Sequence, residues 1–192
     1  NTERFSDDEP DTWWYYLSSN GRAVRQTGSN AKVATLPTKA GNAKFIFDEM
    51  GRMMSGWIGA DGQMISGDEA WREGVYYSDP QNGGRLAVNS WAYITAEDPD
   101  NEEREGDGYW FFFDGSGKKV TDKVNKIING RKYRFNEYGV ANYDWYNDAS
   151  SSSASYYYST EEQCWLRTGW FKAYPDPDKD PEGYDMGDEY WY

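Results

Sequence analysis

One short pattern recurs along the chain: three or four aromatic or branched residues, a polar Asp, Asn or Ser, two variable positions, and a glycine. Trp14-Tyr15-Tyr16-Leu17-Ser18-Ser19-Asn20-Gly21 aligns without a gap on Trp110-Phe111-Phe112-Phe113-Asp114-Gly115-Ser116-Gly117. The same frame fits Lys44-Phe45-Ile46-Phe47-Asp48-Glu49-Met50-Gly51 and Lys132-Tyr133-Arg134-Phe135-Asn136-Glu137-Tyr138-Gly139. Val75-Tyr76-Tyr77-Ser78-Asp79 fits with a longer turn that ends at Gly83-Gly84, and Tyr156-Tyr157-Tyr158-Ser159 is a degenerate copy. Glu189-Tyr190-Trp191-Tyr192 reads as the opening strand of one more. Self-similarity at this scale points to a repeat architecture.

Each copy has a local physical reading. The apolar run makes a short strand. The polar residue starts a turn, and glycine supplies the positive φ that closes a bulged hairpin loop. A second short run such as Arg52-Met53-Met54 or Lys118-Lys119-Val120 returns. A lone two-stranded hairpin is marginal in water, so the units must pack on their neighbours. The expected fold is therefore all-β, a solenoid-like stack of short antiparallel β-hairpin repeats with loop insertions. The expected division is an N-terminal extension over 1–12, an array of about six repeats over 13–170, and an acidic loop with the start of a further hairpin over 171–192.

Composition agrees with many thin cores in place of one thick one. Aromatic residues make up 18 % of the 192 residues while mean hydropathy is only -1.00, so burial must come from rings, which bury large areas singly. The net charge of -13 disfavours nucleic acid and anionic membrane surfaces. Histidine is absent and Cys164 is the one cysteine, which removes the Ser–His and Cys–His nucleophile pairs, an intramolecular disulfide and a cysteine zinc site. Cys164 reads best as a small packed hydrophobe. No run of residues is long and apolar enough to insert in a membrane. The chain opens on Asn1, which raises the expectation of an upstream segment, a signal peptide among the candidates.

A second feature follows the hairpins: Ser55-Gly56-Trp57, Ser90-Trp91, Asp144-Trp145 and Thr168-Gly169-Trp170. The aromatic triplet, the Asp/Asn-x-x-Gly turn and this trailing tryptophan together resemble the choline-binding-type cell-wall-binding repeats of Gram-positive bacteria, and the related repeats of glucan-binding proteins and clostridial toxin tails. The resemblance spans roughly 13–170, and the stretch from Ile127-Ile128-Asn129-Gly130 to Gly139 is its best match. It implies a non-catalytic, secreted or cell-surface module that holds a cell-wall polymer or glycan, choline included, in aromatic clefts between hairpins. It implies no cofactor. Carried over position by position, the implied ligand-binding residues are Trp14, Trp57, Tyr76, Tyr77, Trp91, Tyr109, Trp110, Trp145, Tyr156 and Trp170, with Tyr157 a further partner. For each of these, packing between hairpins is the competing role. Turn glycines lie farther apart than in the family except between Gly117 and Gly139, so insertions such as 96–105 are expected to reshape grooves.

Physically, an aromatic cage attracts a quaternary ammonium by cation–π interaction, and flat rings stack on the apolar faces of sugars. The alternative is a structural or protein-binding spacer whose grooves are filled by its own side chains. Carboxylates at alternate positions in 176–182 have the spacing of a calcium loop, set against a plain solvated acidic loop. Ser150-Ser151-Ser152-Ser153 reads as a linker, and no carboxylate pair is marked for glycoside hydrolysis. The open end of a repeat stack also invites a homodimer through the terminal hairpin.

Overall fold

A computed structural model describes residues 12–96, 107–147 and 155–192. The insertion at 97–105 and the serine run lie outside the described residues. Within them the protein is built of short antiparallel hairpins, and it forms two compact units, Asn1–Val120 and Thr121–Tyr192.

The recurring turn has one geometry. In the turns at 18–22, 48–52, 59–63, 114–118 and 136–140, the first residue's N–H donates to the fifth residue's carbonyl, and the glycine N–H donates back to the first carbonyl, all within 2.8–3.1 Å. The glycine φ values are +78° to +90°, the left-handed conformation that a Cβ resists. The Asp or Asn preference also has a cause. Asp48 Oδ1 accepts from the N–H groups of Met50 and Arg52, Asp114 Oδ1 from Ser116 and Lys118, and Asn136 Oδ1 from Tyr138 and Val140. One side-chain oxygen thus satisfies two turn donors that would otherwise need water.

In the first unit, β1 (Val33–Thr38) pairs with β2 (Gly41–Ile46) across a two-residue connection. β3 (Gly56–Ile58), β4 (Tyr76–Asp79) and β5 (Arg85–Leu86) form a three-stranded sheet, with α1 (Ala70–Glu73) between β3 and β4. β6 (Ser90–Thr95) pairs with β7 (Gly108–Phe113). A core of Ile46, Met54, Ile58, Tyr76 and Leu86 sits where these hairpins meet. Two departures from the sequence reading stand out. β1 is a strand without an aromatic residue. Trp57 also does more than trail the hairpin before it: it opens a hairpin of its own, because Ile58 bridges to Met64 around the turn at Gly59–Gln63.

In the second unit, β8 (Lys123–Ile128) pairs with β9 (Arg131–Phe135) through Asn129-Gly130, both with positive φ, as a type I′ turn requires. β10 (Trp145–Asn147) pairs with β11 (Ser155–Tyr157). β12 (Lys172–Ala173) pairs with β13 (Tyr190–Trp191), so the last aromatic run returns onto an earlier strand. Between them lies α2 (Pro181–Met186), capped by Asp180. Among the described residues no helix is long and apolar enough to cross a membrane.

Candidate ligand-binding clefts

The second unit assembles four rings from separate stretches of chain. The β10–β11 register sets Trp145 opposite Tyr157, with ring centroids 5.0 Å apart. Phe171 and Tyr192 flank β12 and β13 and exchange backbone hydrogen bonds in both directions. Phe171 stacks on Tyr157 at 5.1 Å with planes 8° apart, and Tyr192 meets Trp145 edge-on at 4.9 Å. Trp145 Nε1 donates to the Tyr174 carbonyl at 2.9 Å, which fixes the indole while its polar edge is satisfied. These rings wall a cleft of about 610 Å³ that Asp176 and Asp180 also line.

Both signs of charge line this cleft, Asp176 and Asp180 together with Arg167 and Lys179. Burial raises the Tyr157 hydroxyl above its ordinary value, and Asp144 and Glu189 add to the shift against Arg167. Tyr192 is raised by burial and then by Asp180, Tyr190 and Asp176. The Asp144 carboxyl is itself raised, by burial first, against a backbone hydrogen bond from Trp145, with Asp176 pushing it further. Asp176 is buried, its Oδ1 accepts from the Asp178 N–H, and its Oδ2 has no hydrogen-bond partner. Carboxylates beside aromatic rings suit a cation. Among the described residues, no cluster of His, Cys, Asp and Glu is grouped to hold a metal ion.

The first unit has two more open surfaces. Trp14, Tyr16, Phe45, Phe47 and Met53 line a small apolar cleft of about 360 Å³. On the β6–β7 ribbon, Trp91 lies opposite Phe112 and Tyr93 opposite Trp110, so these four share one face. Trp91 and Tyr93 border a groove of about 980 Å³ with Tyr77 and the polar Asn42, Lys44 and Asp79.

No family model and no curated protein matches the sequence. Solved structures do. Choline-binding protein F of Streptococcus pneumoniae, in complex with ipratropium, superposes with a TM-score of 0.54 at 19 % identity, over 85 % of this chain and 47 % of that one. The chain shares its fold with choline-binding protein F. The modular autolysin LytC of S. pneumoniae, with a synthetic peptidoglycan ligand, gives a TM-score of 0.40 at 18 % identity over 82 % of this chain and 32 % of that one. The choline-binding domain of CbpL from S. pneumoniae gives 0.38 at 15 % identity over 82 % and 74 %. The chain spans about half the length of choline-binding protein F.

The residues anticipated from sequence separate by burial. Trp57, Tyr76 and Tyr109 are each less than 9 % exposed and pack in the core of the first unit. Tyr77, Trp91 and Trp110 are half-buried, the first two on the polar groove. Trp14 borders the apolar cleft and Trp145 and Tyr156 the four-ring cleft. Trp170 is 84 % exposed and lines none of these three clefts, whereas its neighbour Phe171 lines the four-ring cleft. Phe171 has no place in the repeat pattern, and Tyr192 ends the run read as the opening strand of a further copy without being singled out as a ligand-binding residue. Strand alternation beside Trp170 is the one sequence sign of Phe171; the closing aromatic run holds Tyr192, but nothing local marks it as a cleft residue. The buried Cys164 thiol is pushed up to about 12 by burial and then by Glu161 and Glu162, so it is no nucleophile near neutral pH.

Proposed function

We propose that the chain is a non-catalytic, extracellular binding module that attaches to a cell-wall polymer by taking quaternary ammonium groups of the choline type in the cleft of Trp145, Tyr157, Phe171 and Tyr192. The observation that carries this reading is the joining of four rings with Asp144, Asp176, Asp180 and Glu189. Arg167 and Lys179 also line the cleft, yet among the described residues neither stands over one of these four rings, whereas Arg131 sits 3.5 Å over Trp165 and Arg134 3.8 Å over Tyr146. A trimethylammonium group seated there gains about 0.5–2 kcal/mol per ring face. Choline-binding protein F, which shares the fold, carries the same ligand class in its name, and that supports the reading.

Choline titration followed by tryptophan emission tests the proposal. A saturable change in the native chain that is lost in Trp145→Ala and in Phe171→Ala, with both variants folded by far-UV circular dichroism, supports it. No saturable change in the native chain refutes it.

The spacer reading keeps one specific observation in its favour: several tryptophans, Trp13 and Trp165 among them, are covered by the chain's own arginines. On that reading Trp145→Ala unfolds the second unit outright and no ligand response exists to lose.

A further inference from the structure

We infer that Lys119 is a built-in cation, whose ammonium fills an aromatic cage around Trp57 and closes to external ligands a site shaped for a primary alkylammonium. Lys119 lies on the return strand of the β7 hairpin, bridged to Phe113, and its N–H donates to the Val75 carbonyl at 2.7 Å. Its side chain runs inward and is 8 % exposed. The ammonium stands 5.1 Å from the Trp57 ring centroid and 5.6 Å from that of Phe111. Trp57 and Phe111 meet edge to face at 5.2 Å, and Trp71 closes the cluster at 6.3 Å from Phe111.

The polar side of the cage is equally specific. Nζ donates to the carbonyls of Trp71 and, at 3.2 Å, of Arg72, two groups in the last turn of α1. Gly74 just beyond α1 lets this backbone approach Trp57, since a Cβ there would strike the indole. Among the described residues no carboxylate forms an ion pair with Lys119. Ring faces and carbonyl dipoles face the charge and offset part of the cost of burying it. Two carbonyl acceptors select an ammonium that carries N–H groups, so the site discriminates against a quaternary ammonium, which has none. The first unit therefore holds a cation site already occupied from within. This inference is independent of the reading of the Trp145 cleft, and its failure would leave that reading untouched.

Truncation with chemical rescue tests it. Lys119→Ala removes the equivalent of propylammonium. In that variant n-propylammonium is expected to raise the melting temperature saturably, by roughly 3–5 °C. Neither 1-propanol nor tetramethylammonium should match that rise, and the native chain reports any amine bound elsewhere. Equal shifts in variant and native chain, or equal rescue by propanol, overturn the inference. Should Lys119→Ala not fold, Lys119→Met keeps the stem and removes the charge. The tryptophan emission of the native chain is then expected to shift as the ammonium titrates near pH 8, and that of Lys119→Met to stay flat. The absence of any difference between the two profiles overturns the inference equally.

Discussion

Raising the pH from neutral into the alkaline range is expected to stabilise this protein, because of Lys119. Burial pulls its ammonium from an ordinary value of 10.5 down to about 8. A folded-state value below the unfolded one means that, between the two, the unfolded chain holds more protons, so stability rises with pH. A tenfold change in proton affinity is worth about 1.36 kcal/mol, so the charged lysine costs the native state about 3 kcal/mol at pH 7. About 2 kcal/mol of this is relieved by pH 9.5. Above that the tyrosines act in the opposite direction. Tyr77, Tyr133, Tyr157 and Tyr158 are all raised, with burial the leading cause, so the unfolded chain loses those protons first and stability falls. Urea unfolding at pH 7, 8, 9 and 9.5 on the native chain and on Lys119→Met isolates the lysine, because both proteins share the tyrosines. The native chain should gain about 2 kcal/mol relative to the variant over this range. Parallel pH profiles would refute the account of a charged ammonium held in an aromatic core.

Three other outcomes follow from particular residues. Gly117→Ala places a Cβ at φ +90° and 2.7 Å from Leu86 Cδ2, and should destabilise by roughly 1–3 kcal/mol in denaturant unfolding, whereas Gly115→Ala, with open space around it, should cost far less. Trp170→Ala removes a largely solvated ring, so stability should change by no more than about 0.5 kcal/mol and the choline response should persist, while Phe171→Ala one residue on should abolish it. Cys164, buried and with its thiol pushed up to about 12, should resist a thiol-reactive chromogen in the native state at pH 8 and react at once in denaturant; fast native reaction would contradict its placement.

What the sequence carried was the local unit. Asp48, Asp114 and Asn136 each begin a turn that glycine closes, and both chemistries act within five residues, so they are readable from a short window. β1 escaped that window because Val33–Thr38 contains no aromatic residue and includes Pro37, which breaks the pattern of the other strands. The hairpin of Trp57 escaped for a related reason: Gly59 stands where the other copies have Asp, Asn or Ser, and Asp61 takes over by accepting from the Gln63 N–H. The candidate cleft was only partly legible. Trp145 and Tyr156 belong to the repeat frame, but Phe171 and Tyr192 join them through strand pairing between β12 and β13, a contact across a helix and an acidic loop that no period encodes. Burial was the least legible property. Trp57 and Trp145 occupy the same frame position, yet one is sealed beneath Lys119 and the other borders an open cleft.

The most direct measurement is calorimetric titration of the native chain with choline and, separately, with 3,3-dimethylbutan-1-ol, which has the same shape without the charge. The account predicts saturable choline binding that Trp145→Ala removes, and at least roughly ten-fold weaker binding of the alcohol, since that is what about 1.4 kcal/mol of cation–π and carboxylate attraction is worth. Equal affinity for the two compounds, or no binding of choline at all, would contradict it.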